Sequence, residues 1–290
     1  MAGSTPASAI SRRAPMAVAR FFRSSPLGGV CALLLLLLAS VAVLADRLAP
    51  YNPLTANYGV IRDPPLARHV LGTDHLGRDV LSRIIFGARV TLLVAISSVL
   101  LGDTIGFIWG VASGYLGGRA DLISQRVLDV LMSLPSLILA LLLMAGLGAG
   151  LTTVIVAIAV TRVPLSSRVV RSMVLSVKEL AYVEAARVLG ASEARVMARH
   201  VAPQCVAPFL IITTGHLGAA IFIEAALSFV GVGVPPPTPS WGNMLGGVLA
   251  EAFKPPWWMV VFPGVAITVT ILAVNLFGDA LRDFLDPKLK

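Results

Sequence analysis

Charge is what this chain has least of. Only 13% of its 290 residues are Asp, Glu, Lys or Arg, against about 25% in soluble domains. Cysteine is scarce. Cys31 and Cys205 stand far apart, with no CxxC and no metal-ligand spacing, which excludes a disulfide framework and a cysteine zinc site and makes both thiols inert on expectation. Four lysines are present, Lys178, Lys254, Lys288 and Lys290, and none precedes Ser or Thr. A GxxxxGK[ST] loop that could cradle phosphates is therefore excluded. There is no HExxH, no nucleophile elbow and no triad, so no catalytic residue is assigned. His69, His75 and His216 are too scattered for a metal site. Aromatic residues do not interleave with basic ones, so no nucleic acid is expected.

What fills the chain is apolar: 57% hydrophobic residues and a mean hydropathy of +0.86. Several stretches long enough to cross a bilayer carry almost no charge, which makes this an all-α integral membrane protein with six transmembrane helices. The spans are expected at Leu27–Ala45, Val90–Gly114, Val127–Gly148, Leu151–Ser167, Val206–Val230 and Trp257–Gly278. Asp46 and Arg47 follow the first run where a small-residue cleavage site would stand, so a retained span is expected. Four segments result: a flexible basic tail over 1–26; the first span, an outer loop and an interfacial helix over 27–88; the five-span core over 89–280; and a tail over 281–290.

The net charge of +8 sits beside apolar spans and points to membrane lipid. An even number of spans puts both termini on one side, and 16 of the 23 basic residues fall there. That side is the cytoplasm by the positive-inside rule.

Several polar features break the apolar pattern. Leu76, Val80, Leu81, Ile84 and Ile85 share one helical face, with Arg78, Asp79, Ser82 and Arg83 opposite and Asp74 as cap. This predicts an amphipathic interfacial helix up to Arg89, with Asp79 and Arg83 paired at i,i+4. Its role is open between an anchor and a gate. Pro135 predicts a kink near the start of span three, and Arg162 and Pro164 an interruption of span four, with Arg162 snorkelling. Asp103 and Glu224 lie inside spans, where acids are candidates for the pathway or its outer mouth. A structural role is equally open for Glu224, and pairing within the bundle is the expectation for Asp103. Residues 231–256 predict a non-helical loop, with Trp241, Trp257 and Trp258 in the interfacial belt.

The polar loop 176–205 centres on YVEAARVLGASEARVMARHVAP, Tyr182–Pro203. It predicts two short helices broken at Gly190, the second capped by Ser192 and ended by Pro203. Val196, Met197, His200 and Val201 share one face, and Arg195 and Arg199 the other.

Glu184-Ala185-Ala186, with Gly190 four residues on and Pro203 closing the loop, resembles the EAA motif of bacterial ABC importer permeases. LGTDHLGRDVLSR (71–83), EAALSFVGVGVPPPTPSWG (224–242) and GDALRDFLDP (278–287) resemble its dipeptide/oligopeptide/nickel branch, in the second-permease type. The match covers roughly 17–290 in order. It departs at His200 and Ala202, where the motif favours Ile and Leu, and at Asp103 and Arg162, where small or apolar residues are the pattern.

The resemblance implies a type I ABC importer permease fold in the bacterial inner membrane. It implies that Glu184, Ala185, Ala186, Arg187, Gly190 and Pro203 form the coupling helix seated in an ATPase subunit. It further implies a heterodimer with a second permease, two ATPase subunits holding ATP and Mg, and an extracytoplasmic substrate-binding protein. Dipeptides or short oligopeptides are the implied cargo, with nickel or glutathione as alternatives. A secondary transporter would instead show inverted repeats and broken spans at matching positions, and none is visible.

Overall fold

The computed structural model describes residues 21–22, 25–251 and 254–285, and every described element is helical. The arginines expected in the basic tail, at 12, 13, 20 and 23, lie outside the described residues, as do Lys288 and Lys290.

The helices are α1 Pro26–Val43, α2 Ala45–Leu48, α3 Val80–Leu116, α4 Gly118–Met132, α5 Ser136–Leu147, α6 Leu151–Val177, α7 Ala181–Val188, α8 Glu193–Val196, α9 Ala202–Phe229, α10 Trp241–Glu251 and α11 Trp257–Leu285. Five helices, one of them the α8–α9 continuum Glu193–Phe229, are long and apolar enough to cross a membrane. The bent pair α4–α5 passes the same test of length and apolarity only when its two helices are taken together, which brings the count to six if the pair is one span. In lipid every backbone polar group must be satisfied within its own helix, so apolar runs of this length have one stable form.

The core is the parallel pair α3 and α6. Gly102, Gly106, Gly110 and Gly114 recur every fourth residue of α3 and face the carbonyls of Ala159, Val163, Ser167 and Arg171 on α6. A Cβ at Gly102 or Gly110 would stand 2.3 or 2.5 Å from the facing oxygen. Only hydrogen at these positions lets the two backbones touch, the means by which helices associate where no hydrophobic force separates them from lipid. α9 runs back along α3, and α11 packs on α9, α10 and α1.

Several expectations are corrected. No separate interfacial helix exists: Asp79 caps α3, accepting from the Ser82 amide at 2.8 Å, and α3 runs unbroken from Val80 into the span. Asp74, Arg78, Asp79 and Arg83 are buried in protein contacts, and Arg78 pairs with Asp74 at 2.7 Å in place of an Asp79–Arg83 pair. At Pro135 the chain breaks and turns by 87° between α4 and α5, because proline disfavours the α conformation in the residue before it. α4 also takes up most of the expected link 115–126.

Pro164, by contrast, lies inside an unbroken α6 that continues to Val177. Close packing on α3 offsets the one backbone bond it removes. Pro203 likewise ends nothing. A π-helical turn, Met197–Val201, precedes it and leads straight into α9, and such wide turns accommodate the missing amide.

The loop 231–256 contains α10. Ser240 and Asn243 cap it reciprocally, Oδ1 of Asn243 accepting from the Ser240 amide at 3.1 Å and Oγ of Ser240 from the Asn243 amide at 3.3 Å. Trp241, its first residue, is no belt residue: it is buried, and its Nε1 donates to the Ile84 carbonyl at 3.0 Å. Trp257 is exposed, while Trp258 donates to the Thr73 carbonyl at 3.2 Å.

Candidate coupling site

The loop after α6 folds as α7, a turn at Gly190, and α8. The Gly190 amide donates to the Arg187 carbonyl at 2.9 Å and the Ala191 amide to the Ala186 carbonyl at 3.1 Å. With φ of +84° at Gly190, this is the left-handed helix stop that favours glycine. Ser192 stands at the start of α8 but its side chain makes no capping bond.

The loop has two faces. Val183, Val196 and Val201 are fully buried against Val111, Tyr115, Val170 and Val174 of α3 and α6, with Ala186 and Met197 packed at the edge. Glu184, Ala185 and Gly190 are exposed on the other face, and Arg187, also exposed, reaches back toward Tyr115. Beside them Val188 and Leu189 are 81% and 87% exposed. An apolar pair this exposed, at the tip of a rigid turn and next to charge, suits a partner's groove. Pro203 lies away from this tip, in the first turn of α9.

Polar side chains hold the loop to the bundle. The Tyr115 hydroxyl donates to Glu193 Oε2, the Arg187 guanidinium lies 5.5 Å over the Tyr115 ring, and Arg187 Nε is 3.7 Å from Glu193. Contact with Tyr115, then the charges of Glu193 and Glu179, holds the Arg187 guanidinium above its ordinary pKa. Lys178 Nζ donates to the Gly114 carbonyl at 3.2 Å, a cation at the end of α3 where the helix dipole favours one. Asp121 of α4 accepts both Nε and Nη2 of Arg171, at 2.7 and 2.6 Å.

The two intramembrane acids lie on α3 and α9. Asp103 accepts from Ser166 Oγ at 2.6 Å and faces His216 Nδ1 at 3.0 Å. Arg162, expected to snorkel, is only 4% exposed. It is held inside the bundle near Asp103, its Nε 3.3 Å from Thr161 Oγ1. Glu224 is fully buried, accepting from Thr91 Oγ1 at 3.1 Å and Ser228 Oγ at 2.9 Å. Neither acid groups with the coupling loop.

Residues 104–290 match the family described as "Binding-protein-dependent transport system inner membrane component". The chain belongs to this family. The permease is 42% identical over 270 residues to the di/tripeptide transport system permease protein of Pseudomonas aeruginosa, covering 91% of this chain and 88% of that one. It is 41% identical over 259 residues to the glutathione transport system permease protein of Pectobacterium atrosepticum, covering 89% and 86%. It is 40% identical over 257 residues to a putative peptide transport system permease protein of Brucella suis, covering 89% and 86%. Its fold is similar to that of a chain in inward-facing conformations of the MetNI methionine ABC transporter, with a TM-score of 0.59 over 71% of this chain and 98% of that one, at 18% identity.

At the other end of the permease, the Asp74-His75-Leu76-Gly77-Arg78-Asp79 stretch is a turn built around two carboxylates. Asp74 accepts from the amides of Leu76 and Arg78, each at 2.9 Å, and lies 3.5 Å from Arg83 Nε. Asp79 accepts from Ser82 and faces His69 Nδ1 at 2.9 Å. Gly77 is required here, since a Cβ would fall 1.8 Å from the Asn57 carbonyl oxygen. Arg89 caps α1, donating to the Ala42 and Val43 carbonyls at 2.8 and 3.1 Å. It also bridges Asp46 at 2.8 Å, holding that carboxyl below its usual pKa.

Sequence reasoning missed Tyr115, Glu193 and His216. The four-residue glycine spacing of α3 and the Ser240-x-x-Asn243 box were visible signals. Nothing local marks His216 as a partner of Asp103.

Proposed function

We propose that this chain is the membrane-spanning subunit of an ATP-driven importer that carries dipeptides or short oligopeptides into the cell. The carrying observation is the identity of about two residues in five, over nine-tenths of the chain, to relatives named for peptide and di/tripeptide transport. The glutathione-named relative supports the same cargo class, because glutathione is itself a tripeptide.

The chain lies in the bacterial inner membrane with both termini in the cytoplasm, paired with a second permease as a heterodimer. Two ATPase subunits bind ATP and Mg, and a binding protein delivers cargo from outside. The exposed face of α7, with Glu184, Ala185, Val188 and Leu189, seats in an ATPase groove. When ATP closes the ATPase pair the loop moves, and the spans pass between inward and outward openings. Glu224 and Asp103 set polar contacts between spans that this exchange must repack.

The reading is tested by purifying the chain with the products of its neighbouring genes and assaying vesicles with a peptide panel. ATP-dependent uptake of dipeptides or tripeptides is expected. Uptake that persists without any ATPase subunit would sink it in favour of a secondary transporter.

A further inference from the structure

The exposed face of α7 accounts for docking but not for how a displacement there reaches the spans. We propose that Tyr115 is the positioning residue that carries it, tying both halves of the coupling loop to the α3/α6 pair so that they move as one body. The inference rests on the coupling reading above.

Tyr115 is the penultimate residue of α3, and its ring is buried in the cluster of Val111, Val170, Val174, Val183 and Val196. Its hydroxyl donates to Glu193 of α8, and its ring carries the Arg187 guanidinium of α7. One side chain of α3 thus touches both sides of the Gly190 break. The Arg187–Glu193 pair alone would hold little, since its side chains are 38% and 66% exposed and such pairs are screened by water. Tyr115 supplies what the pair lacks: a buried support, a hydrogen bond to a charged acceptor and a stacked cation.

The geometry beyond Tyr115 gives this contact its consequence. α8 is continuous with α9 through the π turn, so the loop already drives α9 by the backbone. α3 and α6 are locked by their glycine contact, so whatever moves α3 moves both. α3 joins α9 through Asp103–His216 and Thr91–Glu224. A loop free to pivot at Gly190 would drag α9 past α3 and break those bridges. With Tyr115 in place the displacement is shared by all three spans.

The test uses the whole transporter in vesicles, reading trialanine uptake and phosphate release from one sample. Tyr115→Phe keeps the ring and removes the hydroxyl. It is expected to lower uptake per ATP by about fivefold while hydrolysis stays within about twofold. Glu193→Ala should match it, Glu193→Gln should restore much of the ratio, and the double variant Tyr115→Phe/Glu193→Ala should be no worse than the poorer single. A wild-type ratio in Tyr115→Phe, or losses that multiply in the double, overturns the proposal.

A cargo-independent readout separates this from the peptide reading. Nitroxides at Leu116→Cys and Ala194→Cys, both exposed, in a cysteine-free background, should give one narrow distance with and without ATP. Tyr115→Phe should broaden it, and an unchanged distribution overturns the link. If wild type hydrolyses ATP but takes up no peptide, the cargo reading fails while the distance measurement still decides the link.

Discussion

Asp103 of α3 faces His216 of α9 with both carboxylate oxygens 3.0 Å from Nδ1. Ser166 of α6 donates to the same carboxylate, so one acid joins three spans. Asp103→Ala strands all these partners and leaves buried Arg162 without its nearby counter-charge. A loss of about 3–5 kcal/mol is expected from breaking such a buried polar contact. Asp103→Asn keeps an acceptor and should lose less. Thermal denaturation of the purified permease checks the order of the two.

Gly110→Val tests the α3/α6 contact. A Cβ there would meet the Ser167 carbonyl at 2.5 Å, so the helices must separate, at a cost of about 1–3 kcal/mol or more. Gly146→Val on α5 is the control, since a Cβ there has nothing within 4 Å. A lower denaturation midpoint is expected for the first variant alone.

Gly190→Val addresses the turn at the tip of the loop. Nothing lies within 4 Å of a Cβ there, so the penalty is backbone strain at φ of +84°, about 1–2 kcal/mol. Peptide uptake should fall while ATP hydrolysis persists. Gly190→Asn, which tolerates this conformation, should retain more uptake. Wild-type uptake by Gly190→Val would remove the turn from the mechanism.

Glu224→Ala removes the acceptor of Thr91 and Ser228. Assembly of the complex, read by size-exclusion chromatography, should survive, and uptake should fall. Unchanged uptake kinetics would make Glu224 a structural acceptor of two hydroxyls.

The shape of the polar loop was legible because its signals are local. The Gly190 stop, the valine face and the outward Arg195 and Arg199 all follow from spacing within a few residues. Proline was legible only in part. Pro135 breaks the chain between two helix ends, whereas Pro164 and Pro203 lie in helices that continue past them. The difference lies in the surrounding contacts, which the residue itself does not encode. Polar runs misled in the same way: Asp74 to Arg83 alternate like an interfacial helix, yet each charge is buried in protein contacts that local spacing does not reveal.

The amino-acid sequence by itself determined the helical class, the apolar stretches that become the membrane helices and the glycine turn of the polar loop between them. In a bilayer an apolar stretch of about 20 residues must satisfy its own backbone bonds, and only a helix does so locally. The tertiary structure alone decided which polar groups meet. Asp103 and His216 are 113 residues apart, Thr91 and Glu224 133, and Ile84 and Trp241 157. Such partners are set by how the helices pack, through the glycine face of α3 and the turn at Pro135, and no local periodicity encodes them.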